Sequence, residues 1–366
     1  MNKKAIIAGI SHGDINGIGY EVIIKALMDI TANDICIPVV YGSPKVAAYH
    51  RKALNINNFS FNNIRSAEEA KSKKANMINC LDDNIRVELG KSTTQGGEAA
   101  FISLEKAVTD LKNGKIDILI TAPIDKKNIQ SDNFHFNGHT EYLKTKAGAE
   151  DVLMFMIGES MRIGIATGHI PLAMVPELIT SELLIRKVRL MNQSLIVDFR
   201  IRKPRIAVLG LNPHAGDNSL LGKEETDIII PAIQKVQQEG ILAFGPFPAD
   251  GFFGAGSFSK FDGILAMYHD QGLAPFKALS FDTGVNFTAG LPFIRTSPVH
   301  GTAFQIAGKG EASENSFRQS IYLACDIFKN RQMHSEITQN PLKHQEIEMH
   351  SDRVDELPPD IFNTEQ

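Results

Sequence analysis

Three histidines each close a short apolar run: RIGIATGH ends at His169, RIAVLGLNPH at His214 and DGILAMYH at His269. Runs of this length beside a small residue read as buried strands. A strand that stops at an imidazole sets that ring at a sheet edge, and the carboxyl edge of an open α/β sheet is where ligands bind. Three such rings can converge on one divalent cation and leave coordination positions open for substrate. Their separation along the chain is that of distinct βα units, not of a zinc finger or an HExxH helix, so the predicted site is catalytic rather than structural. Imidazole donors suit zinc, cobalt or nickel better than magnesium. Asp270, beside His269, and Asp250, in PFPADGFF, are carboxylates that could serve this site. Each serves equally well as a helix cap.

Three further stretches carry groups that can bind anions. In GDINGIGYE (Gly13–Glu21) the glycines allow a tight turn and close approach to a ligand. The spacing is not that of a GxGxxG dinucleotide loop, and a plain strand-to-helix turn accounts for it equally well. TAPIDK (Thr121–Lys126) precedes NGHTEYL (Asn137–Leu143), where His139 and Thr140 stand just ahead of a predicted helix. Imidazole, hydroxyl and helix N–H groups together suit a phosphate or carboxylate; a Thr140 N-cap beside an incidental histidine is the alternative. Between 275 and 310, Lys277, Asn286 and Arg295 supply an ammonium, an amide and a guanidinium in an otherwise apolar, glycine-rich segment. Charges in such company are costly to bury unless an anion pairs with them.

Elements must hold these residues in place. Strand patterns fall at 4–10, 36–41, 116–122, 152–157, 162–167, 205–211 and 263–268, and helical patterns at 18–29, 96–113, 223–239 and 315–329. Their alternation predicts an α/β fold with largely parallel strands. The Asn-rich stretch 55–85 reads as a surface excursion. From 331 onward no apolar period is sustained, which predicts a polar tail, at least partly disordered, in which His334, His344 and His350 are simply solvated.

Composition narrows the function classes. A chain of 366 residues is long enough for two domains. A net charge of -4 argues against a nucleic-acid surface, which needs a basic stripe. Cys36, Cys80 and Cys325 are scattered, so a disulfide framework is not expected and a reducing cytoplasm fits. The N-terminal MNKKAIIAGI reads as a first strand rather than a signal peptide, and no stretch approaches the ~20 apolar residues of a membrane span. The expectation is a cytoplasmic protein with neither a nucleic-acid nor a membrane partner.

GDINGIGYE, NGHTEYL, TGHIPL, LNPHAG, YHDQGLAPFK and GVNFTAGLPFIRTSPVHGTAF occur in one order along the chain. Together they resemble the 4-hydroxythreonine-4-phosphate dehydrogenase family of vitamin B6 biosynthesis, over roughly residues 4–330. The first motif departs from the family pattern, with Ile15-Asn16 in place of Pro-Ala and Tyr20 in place of Pro. The family is similar in fold to isocitrate and isopropylmalate dehydrogenases, whose adenosine loop PVHGTAFQIAGKG (298–310) echoes, with Thr302 for Ser and Phe304 for Pro.

The resemblance implies two α/β domains with a cleft between them. One comprises 1–128 plus 275–330 and carries the cofactor loop; the other, 129–274, carries the metal and the dimer interface; 331–366 is the polar tail. It implies NAD or NADP held by His300, Gly301, Thr302 and Ala303. It also implies a divalent cation (zinc, cobalt or magnesium) and an obligate homodimer in which His169 of one subunit meets His214 and His269 of the other. Substrate contacts carry over to His139, Thr140, Lys277, Asn286 and Arg295, with Asp250, Asp270 and Lys277 as candidates for the general base.

The implied reaction oxidises the C3 hydroxyl of 4-phosphooxy-L-threonine and loses carbon dioxide, giving 3-amino-2-oxopropyl phosphate. The nearest alternative is a dehydrogenase of 4-phospho-D-threonate or 4-phospho-D-erythronate. A tri-histidine metal hydrolase is disfavoured by the adenosine-like loop, and a non-catalytic phosphate binder would show no metal dependence.

Overall fold

The computed structural model describes residues 5–30 and 35–340. Its strands are β1 (Ile7–Ser11), β2 (Ile37–Gly42), β3 (Asn62–Ile64), β4 (Asn76–Asn79), β5 (Ile118–Thr121), β6 (Leu153–Ile157), β7 (Arg162–Ile165), β8 (Arg205–Leu209), β9 (Leu242–Phe247), β10 (Gly263–Ala266), β11 (Val285–Ala289) and β12 (Ile294–Pro298). Its helices are α1 (Gly19–Ile30), α2 (Pro44–Ala53), α3 (Thr94–Lys112), α4 (His139–Ala147), α5 (Val175–Leu178), α6 (Ser181–Val197), α7 (Ile230–Gln238), α8 (Ala249–Gly254), α9 (His269–Ser280) and α10 (Asn315–Thr338).

All the strands join one twelve-stranded sheet in the order β3-β4-β2-β1-β5-β12-β11-β6-β7-β10-β8-β9. From β3 to β12 neighbours run parallel, and so do those from β7 to β9. The centre differs: β11 is antiparallel to both β12 and β6, and β6 is antiparallel to β7. The fold is therefore α/β with a largely parallel sheet, as the alternating pattern predicts.

Strand alternation sends successive residues to opposite faces. On one face a single hydrophobic core runs the length of the sheet. Ile118 and Ile120 of β5, Phe155 of β6 and Val208 of β8 share it with Ile23 of α1, Phe317 and Ile321 of α10, Val188 of α6 and Val236 of α7. The other face carries two separate cores. Leu119 of β5 packs with Leu104 of α3 and Tyr142 of α4, whereas Met154 and Met156 of β6 pack with Phe252 of α8 and Phe276 of α9.

Four readings of the sequence need correction. The stretch 55–85 is not a mere excursion, because it contributes β3 and β4. Asn76 can be buried there because its polar atoms are paired: Nδ2 donates to Pro38 O, Lys71 O and Lys74 O, and Oδ1 accepts from Asn62 Nδ2 and Lys71 N. Strands β9, β11 and β12 were not anticipated. The helix predicted to end near 329 continues to Thr338, while His344 and His350 lie outside the described residues. The boundary at 274/275 falls inside α9, which carries Pro275 in its interior.

Candidate functional site

The gap between the two cores is a cavity. Its floor is two rows of side chains across the central strands: Ser297, Asn286 and Met156 form one, and Arg295 and Met154, flanking Thr288, form the other. The walls come from the N-terminal turns of α4 (His139, Thr140, Glu141) and α9 (His269, with Leu273 and Lys277 further along), the 121–126 loop, and the His300-Gly301 turn. Neither helix has a side-chain cap at its N-cap residue (Gly138 and Tyr268), so Thr140 is not the N-cap of α4. Two helix starts facing one cavity favour an anionic ligand.

Arg295 is 2% exposed, yet no carboxylate among the described residues pairs with it. Its Nε and Nη2 donate to Thr121 Oγ1 at 3.0 and 2.7 Å, and Nη1 donates to Thr288 Oγ1 at 3.2 Å. Burial pushes its pKa down to about 9, with the nearby Glu141 charge opposing. His139 Nε2, Asn286 Oδ1 and His300 Nε2 are likewise buried without a partner. Burial, then the positive charges of Arg295 and Lys126, hold His139 well below the usual histidine range, so it is neutral at pH 7. His300 is lowered by burial, and its Nδ1–H donates to Gly301 O at 3.1 Å.

Two of the three strand-end histidines meet. The His169 and His269 rings lie 5.1 Å apart, and both line the cavity and an adjoining groove formed with Ile170, Leu172, Tyr268 and Asp270. Thr167 Oγ1 donates to Met267 O at 2.9 Å, which ties the turns bearing them together. Burial, followed by Lys126 and His269, lowers the His169 pKa. His269 Nδ1 is 2.6 Å from Asp270 Oδ1, so that nitrogen carries a proton, and in the neutral ring Nε2 is then the atom with a lone pair for a metal. Asp270 is thus engaged with an imidazole rather than aimed at the cavity.

His214 does not join them. It sits exposed in a left-handed turn (φ 53°) held from beneath by buried Glu225, whose Oε1 accepts from Leu211 N and Asn212 N at 2.7 Å each. Among the described residues no three His, Cys, Asp or Glu side chains cluster as a metal site. The two rings that meet within one chain are therefore those of His169 and His269, whereas the expected split set His169 apart from His269. Asp250 is exposed in the first turn of α8, away from the cavity, where a carboxylate suits the helix dipole.

The first glycine-rich motif is occupied by the chain's own backbone. Ile18 N donates to Thr302 O at 3.0 Å, and a Cβ on Gly17 would lie 2.7 Å from that oxygen. Glu21 Oε1 accepts from Ala312 N, and Lys25 Nζ donates to Gly310 O and Ala312 O. The motif thus clamps the segment after β12, whose Ala303 takes a left-handed conformation; Thr302 and Ala303 do not line the cavity. The two departures from the family pattern have local reasons. Tyr20 stacks between His12 and His50, with ring centroids 5.1 and 5.0 Å apart, and Asn16 bridges Thr93 Oγ1 and Glu88 N. Thr121, Thr288, Lys126 and Glu141 were not among the predicted site residues. Thr121 and Lys126 stand in the TAPIDK stretch and Glu141 in NGHTEYL, whereas nothing local marks Thr288.

Residues 34–324 match the family described as pyridoxal phosphate biosynthetic protein PdxA. A Bacteroides thetaiotaomicron protein named 4-hydroxythreonine-4-phosphate dehydrogenase is 51% identical over 354 residues, covering 96% of this chain and 97% of the relative. An Oceanobacillus iheyensis protein provisionally named D-threonate 4-phosphate dehydrogenase is 38% identical, covering 89% and 99%. The crystal structure of the 4-hydroxythreonine-4-phosphate dehydrogenase of Klebsiella pneumoniae is similar with a TM-score of 0.78 at 33% identity, covering 90% and 99%.

Proposed function

The chain belongs to the PdxA family and is an oxidoreductase, and from that premise we propose that it oxidises and decarboxylates 4-phosphooxy-L-threonine to 3-amino-2-oxopropyl phosphate with NAD or NADP and a divalent metal. The observation that carries this reading is Arg295: a buried guanidinium without a counter-ion, facing a cavity lined by Lys277, His139, Thr140 and Asn286. A charge held this way is stabilised by an anion that arrives with the ligand.

In this reading Arg295 and Lys277 bind the substrate's anionic ends, while His139, Thr140 and Asn286 orient the carbon that reacts. His300 and Gly301, with Thr302 and Ala303 in the same loop, hold the nicotinamide cofactor. Of the candidate bases Asp250, Asp270 and Lys277, Lys277 is the one that lines the cavity; as an ammonium it holds an anionic end, and only its neutral amine could take the hydroxyl proton. A divalent cation (zinc, cobalt or magnesium), which His169 and His269 would hold, would supply Lewis acidity at the substrate's hydroxyl and ketone oxygen. We divide the fold into two domains beside this cavity, with the second boundary after Ser280 instead of within α9.

His169 and His269 fit a metal as a pair, and we propose that His214 of a second protomer completes the set in a homodimer. Leu220, 77% exposed near His214, and Leu172, 68% exposed near His169, give these two surfaces apolar character suited to burial. Mixing His169→Ala with His214→Ala protomers should regain up to about a quarter of the activity, because one of the two sites in each mixed dimer is intact. Mixing His169→Ala with His269→Ala should regain nothing. Among the described residues no helix is long and apolar enough to cross a membrane, and we assign the protein to the cytoplasm.

The deciding assay is NAD or NADP reduction with 4-phosphooxy-L-threonine, before and after chelation and with metal added back. Turnover that chelation stops and metal restores supports the reading; turnover unaffected by chelation removes the metal. The relative named for D-threonate 4-phosphate favours a second reading, oxidation of a phosphorylated sugar acid such as 4-phospho-D-threonate or 4-phospho-D-erythronate, and the same assay with those compounds tests it.

A further inference from the structure

Among the described residues Glu141 is the one carboxylate on the cavity wall, where it faces the same space as Lys126, Lys277 and Arg295. The ends of Lys126 and Glu141 approach a common point at Gly138: a Cβ placed there would lie 3.7 Å from Lys126 Cε and 3.8 Å from Glu141 Oε2. Even so, the two form no salt bridge, and among the described residues neither side chain has a hydrogen-bond partner. The charge of Glu141 acts on both Arg295 and His169, opposing the burial that lowers them, and all three line the same cavity. A half-buried carboxylate among cations, with none of them closing on it, is arranged for a cation that arrives with a ligand.

The charges of the two candidate substrates differ at one group. A 4-phosphooxy amino acid carries a phosphate, a carboxylate and an ammonium, about −2 in all at neutral pH. The sugar-acid counterpart has a hydroxyl in place of the ammonium and carries about −3. The fixed charges on the wall, Lys126, Lys277 and Arg295 against Glu141, complement the first.

We propose that Glu141 receives the substrate's ammonium group and thereby sets the preference for an amino-acid phosphate over a sugar-acid phosphate. This rests on the phosphooxy-threonine reading above. The test compares wild type, Glu141→Gln and Glu141→Asp on 4-phosphooxy-L-threonine and 4-phospho-D-threonate, measuring KM, kcat and calorimetric Kd without cofactor. Gln keeps the size of the side chain and removes its charge. For the amino substrate, Glu141→Gln should raise KM and Kd by about 10- to 100-fold, with a smaller change in kcat, and Glu141→Asp should recover part of the loss. For the sugar acid the same variant should lower KM, because a repulsive carboxylate has gone. Equal weakening of both substrates, or an unchanged Kd for the amino substrate, overturns the proposal. So does a wild-type enzyme that prefers the sugar acid, although the dehydrogenase reading then stands. A wild-type enzyme that oxidises neither compound defeats that reading and this inference with it.

Discussion

The two faces of the central sheet are built to different ends. One carries an unbroken core from α1 and α10 across to α6 and α7. The other is split, and in the split the polar atoms of Arg295, His139, Asn286 and His300 have few partners or none. Histidines show the contrast in miniature. His12 and His50 are also fully buried, but Nδ1 of one and Nε2 of the other reach backbone carbonyls (Gly13 O at 2.7 Å, Ile15 O at 2.8 Å), and both rings stack on Tyr20. Only an N–H can donate to a carbonyl, so that nitrogen carries the proton in each, and burial keeps both rings neutral; the second nitrogens, His12 Nε2 and His50 Nδ1, are buried without a partner. The lesson concerns what surrounds buried polar groups: His12 and His50 are enclosed by stacked rings, whereas Arg295, His139, Asn286 and His300 border a cavity open to a ligand.

The contrast can be broken by substitutions that should separate activity from stability. The largest effect is expected at the histidine pair. His269→Ala or His169→Ala should cut metal-dependent turnover roughly a thousandfold or more, with the thermal midpoint in the absence of metal nearly unchanged. On the continuous face, Phe317→Ala should cost about 3–5 kcal/mol in denaturant unfolding and leave the KM of the folded fraction alone. Arg295→Met sharpens the comparison most. It should weaken binding of the phosphorylated substrate about 100-fold while raising the melting temperature, since a desolvated, unpaired cation is replaced by an apolar side chain. A fall in both would show that Arg295 holds the fold together.

Acid should act on the structural histidines. Burial lowers His12 and His50 to about 4, against 6.5 for an exposed histidine. Between these values the unfolded chain binds protons that the native protein refuses. Stability is therefore full above pH 6.5 and falls as the pH drops towards 4, by up to about 3 kcal/mol for each ring. Urea unfolding across that range checks this, and His50→Gln should flatten the decline. The smallest effect is expected for Asp270→Asn, which removes the charge that orients His269 and should weaken metal binding about tenfold by titration.

Much of this was legible in residue order. Apolar runs located the strands that end near His169 and His269, and isolated charges in apolar company pointed to Lys277, Asn286 and Arg295, which the fold gathers in one cavity. Elements whose apolar character is not local were harder to see. Strands β3 and β4 are Asn-rich and depend on the paired side-chain network of Asn76, while β11 and β12 lie within the 275–310 segment, where glycines and prolines interrupt the strand pattern. Thr288 gains its place only because the β11–β12 register sets it beside Arg295. His214 shows the converse: its motif is easy to see, but within the chain it stands exposed and apart from the His169–His269 pair.

The insertion of β11 and β12 between β5 and β6 also dictates the order in which the molecule can be made. A chain emerging from the ribosome can pair β1, β2 and β5, and later β7, β10, β8 and β9, but the middle of the sheet waits for residues 285–298. α10, which covers that middle, comes later still. Contacts so distant in sequence close slowly, and until they do the edges of β5 and β6 stay unpaired. The cavity floor is thus among the last parts to exist, so no shortened or half-folded chain can display the Arg295 anchor.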